Sequence, residues 1–156
     1  LADVVRLIKG DRYRSRLISK IMFGAYNKRI KNVRTVNDWL TRDEAVVDEY
    51  NAGKLTTFLF TVNGYRGLMN MILYVRKPRN IERIPKNLPM LMISGLDDPV
   101  GEYGKGVYRA YNSYHGHIDD IDLRLYEDCR HELCNELNKE EIYEEIYGWI
   151  MNHMSK

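Results

Sequence analysis

The sequence predicts an α/β chain, helical in its first half and a strand–helix–strand–helix unit of a parallel sheet in its second. Three observations predict it. Residues 1–84 carry their apolar side chains at helical rather than strand spacing. Leu88 to Ser94 is an apolar run of strand length, the pattern of a buried parallel strand. Ile121 to Tyr126 alternates and is rich in strand formers, and a helical stretch from Gly106 to Tyr114 separates the two runs. Two parallel strands joined by a helix make one right-handed crossover.

Each element follows from its own residues. Leu1, Val4, Val5 and Ile8 form a helical stripe that stops at Gly10, a residue suited to a helix C-cap. Ser15 to Tyr26 reads as a second helix, with Leu17, Ile18, Ile21, Met22 and Phe23 on a broad apolar face. The basic stretch Asn27 to Arg34 gives way to Thr35-Val-Asn-Asp38, which has capping-box character and predicts a helix start before Trp39-Leu40. Asp43 to Tyr50 reads as a short acidic helix ending near Gly53. Phe58 to Val75 reads as a long one ending before Pro78. Asn138-Lys-Glu-Glu141 caps a final helix that carries Ile142, Ile146, Trp149 and Ile150 on one face. The chain thus divides into residues 1–84, all helical, and residues 85–156, a βαβα unit. Two strands cannot make a self-standing parallel sheet, because each wants neighbours and cover on both faces. Something else must complete it.

A chain of 156 residues suffices for one domain with a sizeable core. Lys+Arg 24 against Asp+Glu 22 leaves a charge of +2, which gives no electrostatic reason to expect nucleic acid or an anionic membrane as the main partner. The apolar runs are too short to span a bilayer. Two cysteines, a balanced polar surface and no visible secretory signal point to the cytoplasm. The chain starts at Leu1 inside a helical pattern, so the natural N-terminus and any targeting segment are expected to be missing.

Chemistry concentrates past the ends of the two predicted strands, where α/β proteins place their sites. Asp98 follows the first strand on a loop held by Pro99, and Asp97 is its rival. His131 follows the second strand by a short loop. An acid there could fix the tautomer of a histidine and stabilise its imidazolium, and the histidine could serve as general base. Acid first and histidine second is also the order of the last two members of a Ser-Asp-His charge system. The plainer reading is a turn at Asp97-Asp98-Pro99 and an ordinary loop histidine. No G-x-S-x-G occurs, so a nucleophile elbow is absent from these residues. Cys129, His131 and Cys134 lack the paired C-x-x-C spacing of a zinc site, and His131-Glu132 fails H-E-x-x-H because residue 135 is Asn. His115, His117, Asp119 and Asp120 could form a second metal cluster, and the plainer reading is a polar loop before the strand. Gly101, Gly104 and Gly106 around Lys105 match neither phosphate-loop pattern. The aromatic residues Phe23, Tyr26, Trp39, Phe58, Phe60 and Tyr65, with Met22, Met69 and Met71, could line an acyl-chain pocket or simply form core.

Ile93-Ser-Gly-Leu-Asp-Asp-Pro-Val-Gly101, Gly104-Lys-Gly-Val107, Arg130-His-Glu132 and Asn135-Glu136 resemble the C-terminal part of an α/β-hydrolase. The nearest group is the bacterial lysophospholipase and monoacylglycerol lipase-like serine hydrolases, of serine aminopeptidase-like type. Phe23-Gly-Ala-Tyr-Asn27, Arg34-Thr35 and Asp38-Trp-Leu-Thr-Arg-Asp43 are similar to stretches of that group's helical cap. The resemblance covers nearly all of this chain but only the second half of a family member. It implies residues 1–84 as the cap and residues 85–156 as core. It also implies Asp98 as triad acid, His131 as triad base, and hydrolysis of lipid esters through a serine acyl-enzyme with neither cofactor nor metal. Phe23, Tyr26, Trp39, Phe58 and Met69 are the expected substrate contacts. Asn51-Ala-Gly-Lys-Leu-Thr56 departs from the Asp-Pro-rich turn expected in the cap. The expected partners are a small ester or lipid, and either the missing N-terminal half or a second copy to complete the sheet. Alone, the chain is expected to be inactive. The alternative is a non-catalytic interaction or assembly module whose open sheet edge pairs with another chain.

Overall fold

Local capping chemistry sets the helix boundaries of the first half, as seen in a computed structural model that describes residues 1–154. Helix α1 (Ala2–Lys9) ends where Gly10 takes a φ of 84° and gives its N–H to the Arg6 carbonyl. Ser15 opens α2 (Arg16–Phe23) by accepting the Ile18 N–H at 3.3 Å. This helix stops at Phe23, short of Tyr26, and a 3-10 turn follows over Tyr26–Arg29. Asp43 caps α3 (Glu44–Ala52) through the N–H groups of Ala45 and Val46. Thr61 accepts the Gly64 N–H at 3.1 Å and starts α4 (Val62–Val75), four residues later than the apolar run that begins at Phe58. Pro78 then begins a one-turn α5 (Pro78–Ile81).

The helix expected to start before Trp39 does not form. Residues 36–39 are a hydrogen-bonded turn, with Leu40 N–H on the Asn37 carbonyl. Asp38 folds backwards instead. Its carboxylate accepts the Arg34 N–H at 2.6 Å, the Thr35 N–H at 3.1 Å and the Thr35 hydroxyl at 2.5 Å. The acid that would have closed a capping box closes a loop.

The second half carries strand β1 (Met90–Gly95), helix α6 (Lys105–His115), strand β2 (Ile121–Tyr126), a 3-10 turn at Leu133–Asn135, and helix α7 (Lys139–Met154). The strands pair in parallel, from Met90 opposite Ile121 to Gly95 opposite Tyr126. Strand β1 begins just after Pro89, which has no N–H for a ladder. Among the described residues no third strand joins this sheet.

Packing is divided in the same way. Ile18, Val62 and Tyr65 form one buried cluster, with Val5, Met22 and Phe23 against it. Cys129, Leu133 and Ile142 form another, supported by Ile93, Tyr126 and Ile146. In β1 only Ser94 and Gly95 are fully buried, and the four apolar positions before them are half-covered. The accessible surface is 10934 Å², against about 8,200 Å² for a compact monomer of this mass. Large apolar side chains of α1 (Leu7, Ile8), α4 (Leu73, Tyr74) and α7 (Tyr147, Met154) contribute to the excess.

Candidate active site

The two strand ends are pulled together by a contact that only glycine permits. A Cβ at Gly95 would lie 2.0 Å from the Cys129 carbonyl oxygen and 2.4 Å from that of Arg130. The loop after β2 therefore crosses directly over the end of β1. Pairing continues past the strands, with Leu96 N–H on the Tyr126 carbonyl at 2.8 Å and Asp97 N–H on the Cys129 carbonyl at 2.9 Å. That crossing brings the acid loop beside the histidine loop.

Asp98 is buried, and its carboxylate is fixed from two sides. Oδ1 accepts the Val100 N–H at 2.7 Å across Pro99. Oδ2 lies 3.1 Å from His131 Nδ1. The chain then runs through three consecutive left-handed residues, Glu102, Tyr103 and Gly104, before α6 begins. The Arg29 guanidinium sits 3.6 Å over the Tyr103 ring, linking this loop to the helical half. Asp97 is exposed, and its carboxylate takes no part. Since a carboxylate only accepts, Nδ1 of His131 carries the hydrogen and Nε2 keeps its lone pair. The hydrogen bond to Asp98 raises the His131 pKa, burial pulls it down, and the charges of Asp98 and Glu132 raise it further. The net direction is upward, so Asp98 stabilises the imidazolium.

The histidine loop is gripped by residues 38–42, of which sequence reasoning singled out only Trp39 as part of the site, and that as a substrate contact. Glu132 N–H donates to the Leu40 carbonyl at 2.7 Å. The Arg130 guanidinium donates to the Asp38 carbonyl at 2.7 Å and the Thr41 carbonyl at 2.9 Å. Glu136 is fully buried, and it accepts the Arg130 N–H at 2.8 Å and the Arg42 Nε–H at 2.8 Å. Thr41 donates its hydroxyl to the Asn135 carbonyl, and Arg42 also reaches Asn138. Burial pushes the Asp38 carboxyl up. The hydrogen bonds from Thr35 and Arg34, with the Arg130 charge, outweigh it and hold the group below the ordinary range. The one signal in the sequence was the stretch Asp38 to Asp43. Its role depends on partners about ninety residues away.

A line of rings leads from the helical half to His131. Trp39 lies 5.1 Å from the imidazole, Tyr26 4.9 Å from Trp39, and Phe23 5.7 Å from Tyr26. Burial, and then the Asp98 charge, raise the Tyr26 pKa, which places that phenol in the electrostatic field of the acid. Phe58 joins only indirectly, through Phe60 and Tyr65. Met69 lies on α4, exposed, one turn past Tyr65 and outside the line of rings. A cavity of about 250 Å³ is lined by Arg34, Asp38, Thr41, Arg42 and Arg130 and includes none of these rings.

The remaining candidates scatter. Cys129 is buried with its Sγ on Asn138 Oδ1, Cys134 is exposed, and the pair does not converge with His131 on a metal position. His117 Nε2 lies 2.7 Å from the Ile84 carbonyl. Ser15 caps α2, Ser94 is buried with its hydroxyl on the Gly95 carbonyl, and Ser113 bonds back to its own helix. Ser19 is half-buried within α2, and Ser155 lies outside the described residues. No serine among the described residues is hydrogen-bonded to His131. No helix there is long and apolar enough to cross a membrane.

Comparison with known proteins gives these features a setting. The family model described as serine aminopeptidase, S33, matches residues 7–138. No curated protein matches the chain. Among solved structures, a thermostable carboxyl esterase from Bacillus coagulans in complex with glycerol superposes with a TM-score of 0.82 at 22% identity, over 99% of this chain and 49% of that one. A lipase in its open form superposes with a TM-score of 0.86 at 18% identity, over 99% of this chain and 51% of that one. The chain spans about half the length of each. With a family match across most of its length and these two strands in place, the chain belongs to the serine aminopeptidase, S33, family and has part of an α/β-hydrolase fold.

Proposed function

We propose that this chain supplies the acid and the base of a serine hydrolase that cleaves carboxylic esters of lipids, of the monoacylglycerol or lysophospholipid type. Residues 1–84 serve as the cap, and residues 85–156 as the C-terminal part of the catalytic core. One observation carries the reading. A buried carboxylate and a histidine, on loops at the same end of adjacent parallel strands, lie 3.1 Å apart through Nδ1, which leaves the Nε2 lone pair to act as base. A serine hydroxyl from polypeptide outside these residues would donate its proton to Nε2 as it attacks the ester carbonyl. Asp98 stabilises the imidazolium that forms. His131 returns the proton to the departing alcohol and then activates the water that releases the acyl group. Phe23, Tyr26 and Trp39 form a line of rings that ends at the base, along which an acyl chain would lie. The carboxyl esterase and lipase among the structural relatives support an ester substrate.

The chain alone is expected not to hydrolyse p-nitrophenyl esters and not to react with a fluorophosphonate probe. A longer polypeptide that places a G-x-S-x-G after a strand is expected to do both. Its His131→Ala variant should lose on the order of 10³-fold or more in kcat. Probe labelling that maps to Ser15, Ser19, Ser94, Ser113 or Ser155 of the chain alone would sink this reading. The excess accessible surface favours a second one, a non-catalytic assembly module that uses the open edge of β1. Upstream coding sequence without a nucleophile elbow decides for it.

A further inference from the structure

We propose that Asp120, Asp122 and His153 form a binding site for a divalent transition-metal ion of the zinc class, at the end of the sheet opposite Asp98 and His131. One donor atom from each residue lies within 4.8 Å of the others. The ligands come from two separate elements. Asp120 and Asp122 flank the first residue of β2. Their backbone is set by the sheet, with the Met90 N–H on the Asp120 carbonyl at 2.9 Å and Asp122 opposite Leu91. His153 stands in the last turn of α7 with only 14% of its side chain exposed.

The histidine is oriented as a ligand. Its Nδ1 lies 2.6 Å from the Trp149 carbonyl, which can only accept, so Nδ1 carries the hydrogen. Nε2 then faces Asp120 Oδ2 at 3.3 Å with Asp122 close by. Either Nε2 carries a second proton and makes an ion pair, or its lone pair points at two carboxylates. A cation between them would hold the second arrangement. Trp149 supports both sides, because its ring stacks on His153 with centroids 4.0 Å apart and its indole N–H donates to Asp122 Oδ2 at 2.7 Å. That leaves Asp122 Oδ1 to coordinate. A carbonyl behind the imidazole and a donor behind the carboxylate are the supports that metal ligands commonly have.

The donor set selects the ion. One imidazole nitrogen and two carboxylate oxygens suit zinc and its neighbours, whereas calcium and magnesium take six or more oxygens including waters. Bonds of about 2.0–2.2 Å require the three donors to draw together. A solvent-facing water completes the shell. The ion would pin the C-terminal end of α7 to the start of β2, and nothing in it depends on ester chemistry.

The test is zinc titration of the full chain against a chromophoric chelator, with elemental analysis after dialysis. One zinc per chain is expected, together with a rise in thermal midpoint that magnesium and calcium do not reproduce. His153→Gln and Asp122→Asn should each weaken zinc at least tenfold while far-UV circular dichroism stays unchanged. Trp149→Phe, which keeps a ring but removes the indole donor, should weaken it by a smaller factor. Zinc uptake unchanged in both ligand variants would place the metal elsewhere and overturn the proposal. So would failure to take up zinc while the ¹⁵N spectrum shows His153 protonated on both nitrogens, the signature of a plain ion pair with Asp120.

Discussion

His131 holds its proton more tightly than a free imidazole because Asp98 accepts its Nδ1–H and repays charge on the ring. The sign of the consequence follows from linkage. A histidine with a raised folded-state pKa adds stability that is complete below the ordinary imidazole value of about 6.5 and is lost as pH climbs through the raised value. Base catalysis runs the other way, since only neutral Nε2 can accept a proton. If His131 is the base as proposed, the acid limb of kcat/KM for a polypeptide that supplies the serine should therefore lie above the ordinary imidazole range. Asp98→Asn should lower the His131 titration midpoint, read by NMR, and cut kcat by about 10⁴-fold, the size seen for the equivalent change in a serine protease triad. An unmoved midpoint would separate the two residues functionally. Gly95 is the other residue on which the site turns. A methyl group there meets backbone carbonyls at 2.0 and 2.4 Å, which cannot move aside without undoing the Asp97–Cys129 bond. Gly95→Ala is expected to cost about 3 kcal/mol in urea unfolding, at the upper end for overpacking.

At the scale of elements, what could be read from sequence is what is local. Ser15, Asp43 and Thr61 each cap a helix with their own side chains, and the first two were visible as starts. Strand β2 matches its alternating run from Ile121 to Tyr126 residue for residue. Thr35 to Asp38 misled because the same residues that cap a helix also close a turn, and the choice was made elsewhere. Arg130 donates into the Asp38 and Thr41 carbonyls, and Glu136 accepts from Arg42, across about ninety residues of chain. The pairing of Asp98 with His131 was legible because strand ends announce themselves. The grip on the His131 loop was not, because no local pattern encodes it. That grip is testable through Arg42. Replacing it with Met leaves the Glu136 carboxylate buried without its cation, a loss of about 3 kcal/mol. Arg42→Lys keeps charge but not the fork to Glu136 and Asn138, so it should recover only part of that stability. Equal unfolding midpoints for wild type and Arg42→Met would show that the ion pair contributes nothing.

The whole molecule carries about a third more surface than a compact chain of its mass. That excess exceeds what a standard protein–protein interface buries in total, roughly 1,600 Å². Sheet geometry says where part of it lies. The Met90 and Leu96 N–H groups point to β2, so by strand alternation those of Leu91 and Ile93 point to the other edge. Among the described residues no strand receives them. An edge of this kind, beside half-covered apolar side chains, is a template for pairing. Burying the apolar area is worth roughly 25 cal/mol per Å², which is large against the stability of a small domain. The isolated chain is therefore expected to associate, with itself or with a polypeptide that supplies the neighbouring strand. Sedimentation at several concentrations should show species heavier than the monomer. Hydrogen exchange should separate two amide sets in β1, with Met90 and Met92 protected in every state, and Leu91 and Ile93 protected only when the edge is covered. A well-folded monomer in which the Leu91 and Ile93 amides exchange freely would refute the requirement, because it would show the half-sheet to be stable with its edge in water.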